Sequence, residues 1–189
     1  MDKKSSIEQY ISLLINWNLR MNLVQTESVL HVMDRHVRDS WQISLYIDPS
    51  DTVLDVGSGA GFPGVILSIF EFKKVILCEN NFKKVTFLRE VKQKLGLNFD
   101  IFDEDVRRIS VRERLPGVTL VSRAFGDMTT LMSVMEKLEV KNGVFHKGKK
   151  YVEELEKADK CYTFDFQIKQ SLTSNDGVIV LISHLERKL

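Results

Sequence analysis

The 189-residue sequence predicts an α/β fold: a seven-stranded, mostly parallel sheet covered by helices on both faces and preceded by a helical extension. Three observations predict it. From Thr52 onward, short β-branched runs alternate with stretches of helical periodicity, the order that a parallel sheet with crossover helices requires. The last two strand-like runs follow one another without a helix, so they form a hairpin that inserts one antiparallel strand. The first fifty residues show helical spacing.

Taken in order, Ile7, Tyr10, Ile11, Leu14, Trp17 and Met21 recur along one face of a first amphipathic helix. Val29, Val32, Met33, His36, Val37, Ser40 and Trp41 mark a second. It must stop before Asp48-Pro49, because a residue preceding proline is pushed out of the helical region. Strands are expected over residues 52–56, 74–79, 98–102, 118–122 and 144–146, with the hairpin at 163–169 and 178–185. Helical patterns fall between them at 63–70, 82–95, 106–112, 128–138 and 151–158, and Gly96 stops the second of these. The chain thus divides into an extension, 1–50, and a sheet domain, 51–189.

Composition narrows the function classes. Hydrophobic residues are 43% and charged ones 28%, enough to bury a sizeable core. Lys plus Arg is 27 against 26 acids, which excludes the strongly basic arm of an indiscriminate polyanion binder. Residues 101–150 alone carry an appreciable excess, ten cations to seven anions. The longest uncharged run, Val56 to Phe70, has 15 residues broken by four glycines and a proline, too short for a membrane span. Acids and polar residues interrupt any signal-peptide core after Met1-Asp2-Lys3-Lys4, so a cytoplasmic protein is expected. Cys78 and Cys161 form no CxxC pair and read as small core residues, and the four histidines lack HExxH spacing, so no metal is expected.

The most informative stretch runs from Thr52 to Gly64, where a buried strand enters the turn Asp55-Val-Gly57-Ser-Gly59-Ala-Gly61-Phe62-Pro63-Gly64. Glycines there let the backbone approach a ligand closely, and Pro63 suits the first turn of a following helix. The dinucleotide fingerprint needs G-x-G-x-x-G, and Phe62 fills the place of its third glycine. The D-x-G-x-G-x-G pattern instead resembles the first motif of the S-adenosylmethionine-dependent methyltransferases, whose class I fold is Rossmann-like. That cofactor has no pyrophosphate to cap a helix. Glu79 ends the next strand, where a carboxylate can accept hydrogen bonds from both ribose hydroxyls. Asp105 and Val106, after the third strand, fall where such folds contact the adenine.

Motifs for particular methyl acceptors can be sought directly. All three prolines are isolated, which removes the N/D-P-P-aromatic turn of amino-group methylation, and none precedes a cysteine, which removes the Pro-Cys nucleophile of pyrimidine-carbon methylation. What remains is an acceptor with an available lone pair, such as guanine N7. It needs no proton removed, so positioning does most of the work. After the fourth strand the chain reads Ser122-Arg123-Ala124-Phe125, with an Arg suited to the O6/N7 edge of guanine and an aromatic suited to stacking. A loop salt bridge for Arg123 and a core or lid role for Phe125 are the structural alternatives.

These blocks together resemble the RsmG, or GidB, family, which methylates a guanine N7 of 16S rRNA. The matching stretches are Trp17-Asn18 with Asn22-Leu23, Arg35-His36-Val37-Arg38-Asp39-Ser40, the Asp55–Gly64 turn, Glu79 with Lys83-Lys84 and Phe87-Leu88, Ser122-Arg123-Ala124-Phe125, and Lys147-Gly148. The resemblance implies cofactor contacts at Gly57, Phe62, the Val106–Arg107 turn and Arg123, beside Asp55, Gly59, Glu79 and Asp105 of the motif reading. Arg123 would also serve the acceptor. Asn80 departs from a common serine, and Arg107 stands where an acid is common beside the adenine. The N-terminus is short for the family, so a trimmed first helix is expected.

Arg35 and His36 are assigned to the RNA side, against a reading in which Arg35 pairs with Asp39 one turn on and His36 packs in an interface. Lys83 and Lys84 read as a solvated face opposite Phe82, Val85 and Leu88, and the same holds for Arg107, Arg108, Arg112 and Arg114. Lys147, Lys149 and Lys150 have no acidic neighbour until Glu153, which points them at phosphates. The expected partners are therefore S-adenosylmethionine and 16S rRNA or the small ribosomal subunit, with a monomeric protein and neither DNA nor membrane. Methylation of another substrate, and a cofactor-binding ribosome-assembly module without turnover, are the competing readings. An NAD-dependent oxidoreductase ranks below both, because Phe62 breaks its fingerprint.

Overall fold

A computed structural model describes residues 2–25, 31–108 and 117–188. Seven strands form one sheet: β1 (Thr52–Val56), β2 (Lys74–Cys78), β3 (Phe99–Phe102), β4 (Val118–Arg123), β5 (Asn142–Lys147), β6 (Tyr162–Gln170) and β7 (Val178–Arg187). Their order is β3-β2-β1-β4-β5-β7-β6. All neighbours are parallel except β7, which runs antiparallel to both β5 and β6. The terminal hairpin does insert one antiparallel strand. Because β2 and β4 flank β1, the strand order reverses there, and the crevice beyond the carboxyl ends of β1 and β4 is the natural ligand site.

Helices cover both faces: α1 (Lys3–Asn18), α2 (Asp39–Gln42), α3 (Gly64–Ile69), α4 (Phe82–Leu95), α5 (Met128–Lys137) and α6 (Tyr151–Asp159). Local chemistry sets their ends. Asp2, Asn81 and Asp127 accept hydrogen bonds from backbone N–H groups of the first turns of α1, α4 and α5. Gly96, at φ +62°, closes α4 in the left-handed conformation.

Period-two alternation divides the core. On β1, Val53 joins Tyr10, Leu14, Phe62, Ile66 and Phe87 on one face, whereas Leu54 and Val56 join Met128, Leu131, Met135 and Phe145 on the other. The N-terminal segment is part of that first core: Tyr10 and Leu14 are fully buried.

The second helix differs from its expected regularity. It opens as a π-helical turn, Met33–Arg38, passes through α2 and ends in a 3-10 turn, Ile43–Tyr46. Its expected start at Val29 lies outside the described residues. The expected helix at 106–112 is a 3-10 turn over Val106–Arg108, and its remainder, with Arg112 and Arg114, also lies outside them. Cys78 is buried as expected, but Cys161 is exposed and belongs to no core. Among the described residues no helix is long and apolar enough to cross a membrane, and no group of three or more His, Cys, Asp or Glu could hold a metal ion.

Candidate functional site

The β1–α3 turn is held from within. Fully buried Asp55 accepts a hydrogen bond from the Gly64 N–H through Oδ2 at 2.9 Å, and its backbone carbonyl accepts one from the Ser58 hydroxyl at 2.9 Å. Its Oδ1 is buried with no hydrogen-bond partner. Burial therefore pushes the carboxyl up to about 7, against the Gly64 bond that lowers it. The N–H groups of Gly57 and Ser58 both donate to the Cys78 carbonyl at the end of β2, at 2.9 and 3.1 Å. Gly57 has no freedom to be another residue: its φ is +70°, and a Cβ there would lie 2.6 Å from Cδ2 of Phe125.

Glu79 faces this turn. One carboxylate oxygen accepts from the Gly59 N–H at 2.9 Å and the other from the Asn81 N–H at 2.8 Å, with the residue 7% exposed. A carboxylate has about four lone-pair sites, so each oxygen keeps capacity for a further donor. Next to it a cavity of about 240 Å³ is lined by Gly57, Glu79, Asp105, Val106, Arg107 and Phe125 among others. Val106 is buried, while Arg107 turns back on Asp105 in a two-pronged ion pair, its closest approach 2.6 Å. Those hydrogen bonds hold the Asp105 carboxyl down at about 2.

Phe62 joins this turn to a second cluster. His36 stacks on its ring, centroids 4.9 Å apart at 20°, and Tyr10 meets it edge-on at 5.4 Å. The Arg123 guanidinium lies 4.7 Å from the Phe62 ring centroid. Burial, then the Arg123 charge, push the His36 imidazole down to about 4, so a neutral ring does the stacking. Arg123 donates to the Arg35 carbonyl at 3.1 Å and approaches Asp39 Oδ2 at 3.4 Å.

Asp39 is the hub that sequence reasoning missed. Its Oδ1 accepts from Gln42 and from the Thr173 hydroxyl, both at 2.7 Å, and its backbone carbonyl lies 2.7 Å from His146 Nε2. The register of β4 on β5 puts His146 directly beside Arg123. Gln42 also accepts from the Leu172 N–H, so the loop between β6 and β7 is tied to α2. Together Arg35, His36, Asp39, Arg123, Thr173 and Ser174, with residues 22–25, line an open cavity of about 1010 Å³.

The structure therefore brings Asp55, Gly57, Gly59, Phe62 and Glu79 together, adds Asp105, Val106 and Arg107 on one side, and sets Arg35, His36 and Arg123 on the other. Phe125 sits half-buried on Gly57, on the side of Asp105, Val106 and Arg107. The alternative that paired Arg35 with Asp39 does not form: Asp39 pairs with Arg123, and the one-turn pair on this segment is Arg38 with Asp34, at 2.8 Å. The expectation of unopposed lysines needs correction. Lys147 does have an acidic neighbour: its side chain is 7% exposed and donates to Glu154 at 2.7 Å and to the Gly126 carbonyl at 3.0 Å. Lys149 likewise pairs with Asp176 at 3.1 Å. Glu154 comes from α6, which folds back beside Lys147, and Asp176 from the loop between β6 and β7.

With that geometry in view, the comparisons with known proteins are specific. Residues 3–182 match the family described as GidB, rRNA small subunit methyltransferase G. The chain is 32% identical over 183 residues to the ribosomal RNA small subunit methyltransferase G of Rickettsia akari, covering 96% of this chain and 94% of that protein. It is 31% identical to the Rickettsia typhi protein of the same name, covering 99% of each. Among solved structures, it resembles a SAM-dependent methyltransferase from Aquifex aeolicus with a TM-score of 0.60 at 17% identity, over 80% of this chain and 91% of that one. M. jannaschii TYW2, solved in complex with AdoMet, gives 0.59 at 15% identity over 81% and 76%. At such identities these two carry the fold alone.

Proposed function

The chain belongs to the GidB family, rRNA small subunit methyltransferase G, and on that premise we propose that it transfers a methyl group from S-adenosylmethionine to N7 of a guanine in 16S rRNA. The observation that carries this reading is the convergence of the Arg35–Ser40 and Ser122–Phe125 blocks on the glycine turn, with Arg123 over Phe62 and bonded to the Arg35 carbonyl.

The residues present fit the cofactor. It is cationic at sulfur and carries an ammonium group, and the Asp55 carboxylate beside the turn has a buried oxygen with no partner. Its ribose is a diol, and Glu79 retains acceptor capacity on both oxygens. When bound, the cofactor supplies an electrophilic methyl group and a neutral thioether leaving group. Gly57 and Gly59 let the backbone come close, Val106 offers an apolar surface to the adenine, and Arg107 holds Asp105 through both its backbone N–H and its guanidinium. Lys147 acts on this site as a strut for the Phe125 loop.

On the acceptor side, guanine N7 attacks without losing a proton, so no general base is required. The work is positional. Arg123, kept in place by Asp39 and the Arg35 carbonyl, is the group that faces the O6/N7 edge, and Phe125 is the aromatic available for stacking. His36, held neutral, keeps Phe62 packed without adding a second cation beside Arg123. The protein acts as a cytoplasmic monomer on this reading, with residues 1–50 as an extension packed on the 51–189 domain.

Labelled methyl transfer to 16S rRNA isolated from cells lacking this chain tests the proposal. Incorporation at one guanine is the expected result. Cofactor binding without incorporation would leave an assembly module without turnover. Arg123→Ala is expected to lose transfer while retaining cofactor binding if its role is on the acceptor side; loss of both assigns it to the cofactor.

A further inference from the structure

Phe82 breaks the burial pattern of its helix, and Leu19 caps the end of α1 in solvent. The positions after Phe82 on the core side of α4, Val85 and Leu88, are buried, yet Phe82 itself is 76% exposed, and Leu19 just past α1 is 82% exposed. Single exposed apolar side chains are ordinary. These two line one groove, of about 630 Å³, between α1 and the start of α4.

The groove is also basic. Arg20, Lys83 and Lys94 line it against one acid, Glu90. That acid is already occupied, accepting from the Trp17 indole N–H at 2.9 Å and pairing with Lys94 at 2.6 Å. Arg20 and Lys83 stay exposed above the apolar floor. Lys84, next along, lines the 240 Å³ cavity beside Glu79, so the basic surface is continuous with the cofactor side of the site. An exposed aromatic beside exposed cations is the chemistry that holds single-stranded nucleic acid: the ring stacks on a base and the cations meet adjoining phosphates.

We infer that the α1–α4 groove is a second RNA contact, in which Phe82 stacks on an unpaired base and Arg20 and Lys83 neutralise the flanking phosphates; the identity of that RNA as the methylated rRNA rests on the function proposed above. A strand seated there leads past Lys84 to the cofactor side. The pairing of the one groove acid with Lys94 leaves net positive charge facing outward, which favours a polyanion over a protein surface.

Phe82→Ala and Lys83→Glu, made separately, test it by titrating a labelled 16S rRNA fragment and by steady-state methyl transfer. Phe166→Ala, another exposed aromatic, on the opposite sheet edge, is the control, 53% exposed. Phe82→Ala is expected to raise the RNA Kd and KM roughly tenfold, with kcat and cofactor affinity within about twofold of the parent chain. Lys83→Glu should weaken binding at every RNA sequence and lower the slope of log affinity against log salt by about one. RNA affinity unchanged in both variants overturns the inference, as does an equal loss in Phe166→Ala. Loss of binding to assembled small subunits with unchanged affinity for naked RNA overturns it too, in favour of a protein contact. If the parent chain transfers no methyl group, the functional reading fails, and the groove is still judged by the RNA Kd alone.

Discussion

The glycine turn and the Arg123 cluster share Phe62 yet are built in opposite ways. The turn closes on its own sequence: Gly64 bonds to Asp55 nine residues away, and Gly59 to Glu79 twenty away. The cluster closes across the whole chain. Arg123 reaches Arg35 and Asp39, 88 and 84 residues back, and Asp39 is met by His146 and Thr173, 107 and 134 residues on. Local closure makes a motif that any reader of the sequence can find. Long-range closure makes a site that exists only once the β4–β5 register and the β6–β7 loop are in place.

The largest effect expected on the local side concerns Asp55. Burial holds its folded-state carboxyl at about 7, well above the usual carboxylate range. In the unfolded chain the group ionises near pH 4, so between about pH 4 and 7 the unfolded state is favoured by releasing a proton. Its contribution is fully present below pH 4 and lost as pH rises through 7. Asp55→Asn removes that loss. Without cofactor, the stability of the Asn variant relative to the parent should rise across this window by up to about 4 kcal/mol, as read by urea unfolding at each pH. A constant difference across the window would mean that the carboxylate is solvated or paired.

Gly57→Ala comes next. It combines a φ of +70° with a Cβ 2.6 Å from the Phe125 ring, and about 3 kcal/mol of destabilisation is expected, with loss of cofactor binding. A Phe125→Ala background should return about 2 kcal/mol of this and leave the backbone cost of about 1 kcal/mol. No recovery in the double variant would sever the link between the local turn and the acceptor loop.

Asp39→Asn tests the long-range side. It removes the anion that Arg123, Gln42 and Thr173 share, so about 2 kcal/mol of stability should be lost in thermal unfolding, and methyl transfer should fall further than the melting shift explains. Unchanged transfer would leave Arg123 positioned by Phe62 and the Arg35 carbonyl alone.

The same contrast explains what was legible. The strand-turn-helix from Thr52 onward, the Phe82–Leu95 helix with its Gly96 stop and the inserted antiparallel strand all follow from patterns within a few residues. The π-helical turn at Met33–Arg38 does not, because its hydrophobic spacing matches that of an α-helix. For Asp39 one-turn spacing displays only Arg35, the alternative partner, because Arg123 lies 84 residues on. His146 carried no local signal at all. Lys147 looked unopposed because Glu154 lies seven residues on, on a helix that folds back beside it. Phe82 fits the apolar series of α4 by spacing, yet as the first residue of that helix it stays in solvent.

The smallest expected effect is at Lys147, which belongs to neither pattern cleanly. Its ammonium bridges the Gly126 carbonyl and Glu154, and Glu154 also accepts from the Met128 N–H at the start of α5. Lys147→Met keeps the buried aliphatic stem and deletes the bridge. Glu154 still holds the helix N-terminus, so the lost charged hydrogen bonds are partly offset and about 1 kcal/mol of stability should go. If Lys147 is only a strut, the variant's RNA affinity keeps the parent's salt dependence, and kcat changes through the Phe125 loop. If it meets a phosphate, the salt slope drops by about one. The two outcomes are separable because a 7% exposed side chain must break its pair with Glu154 before it can touch RNA.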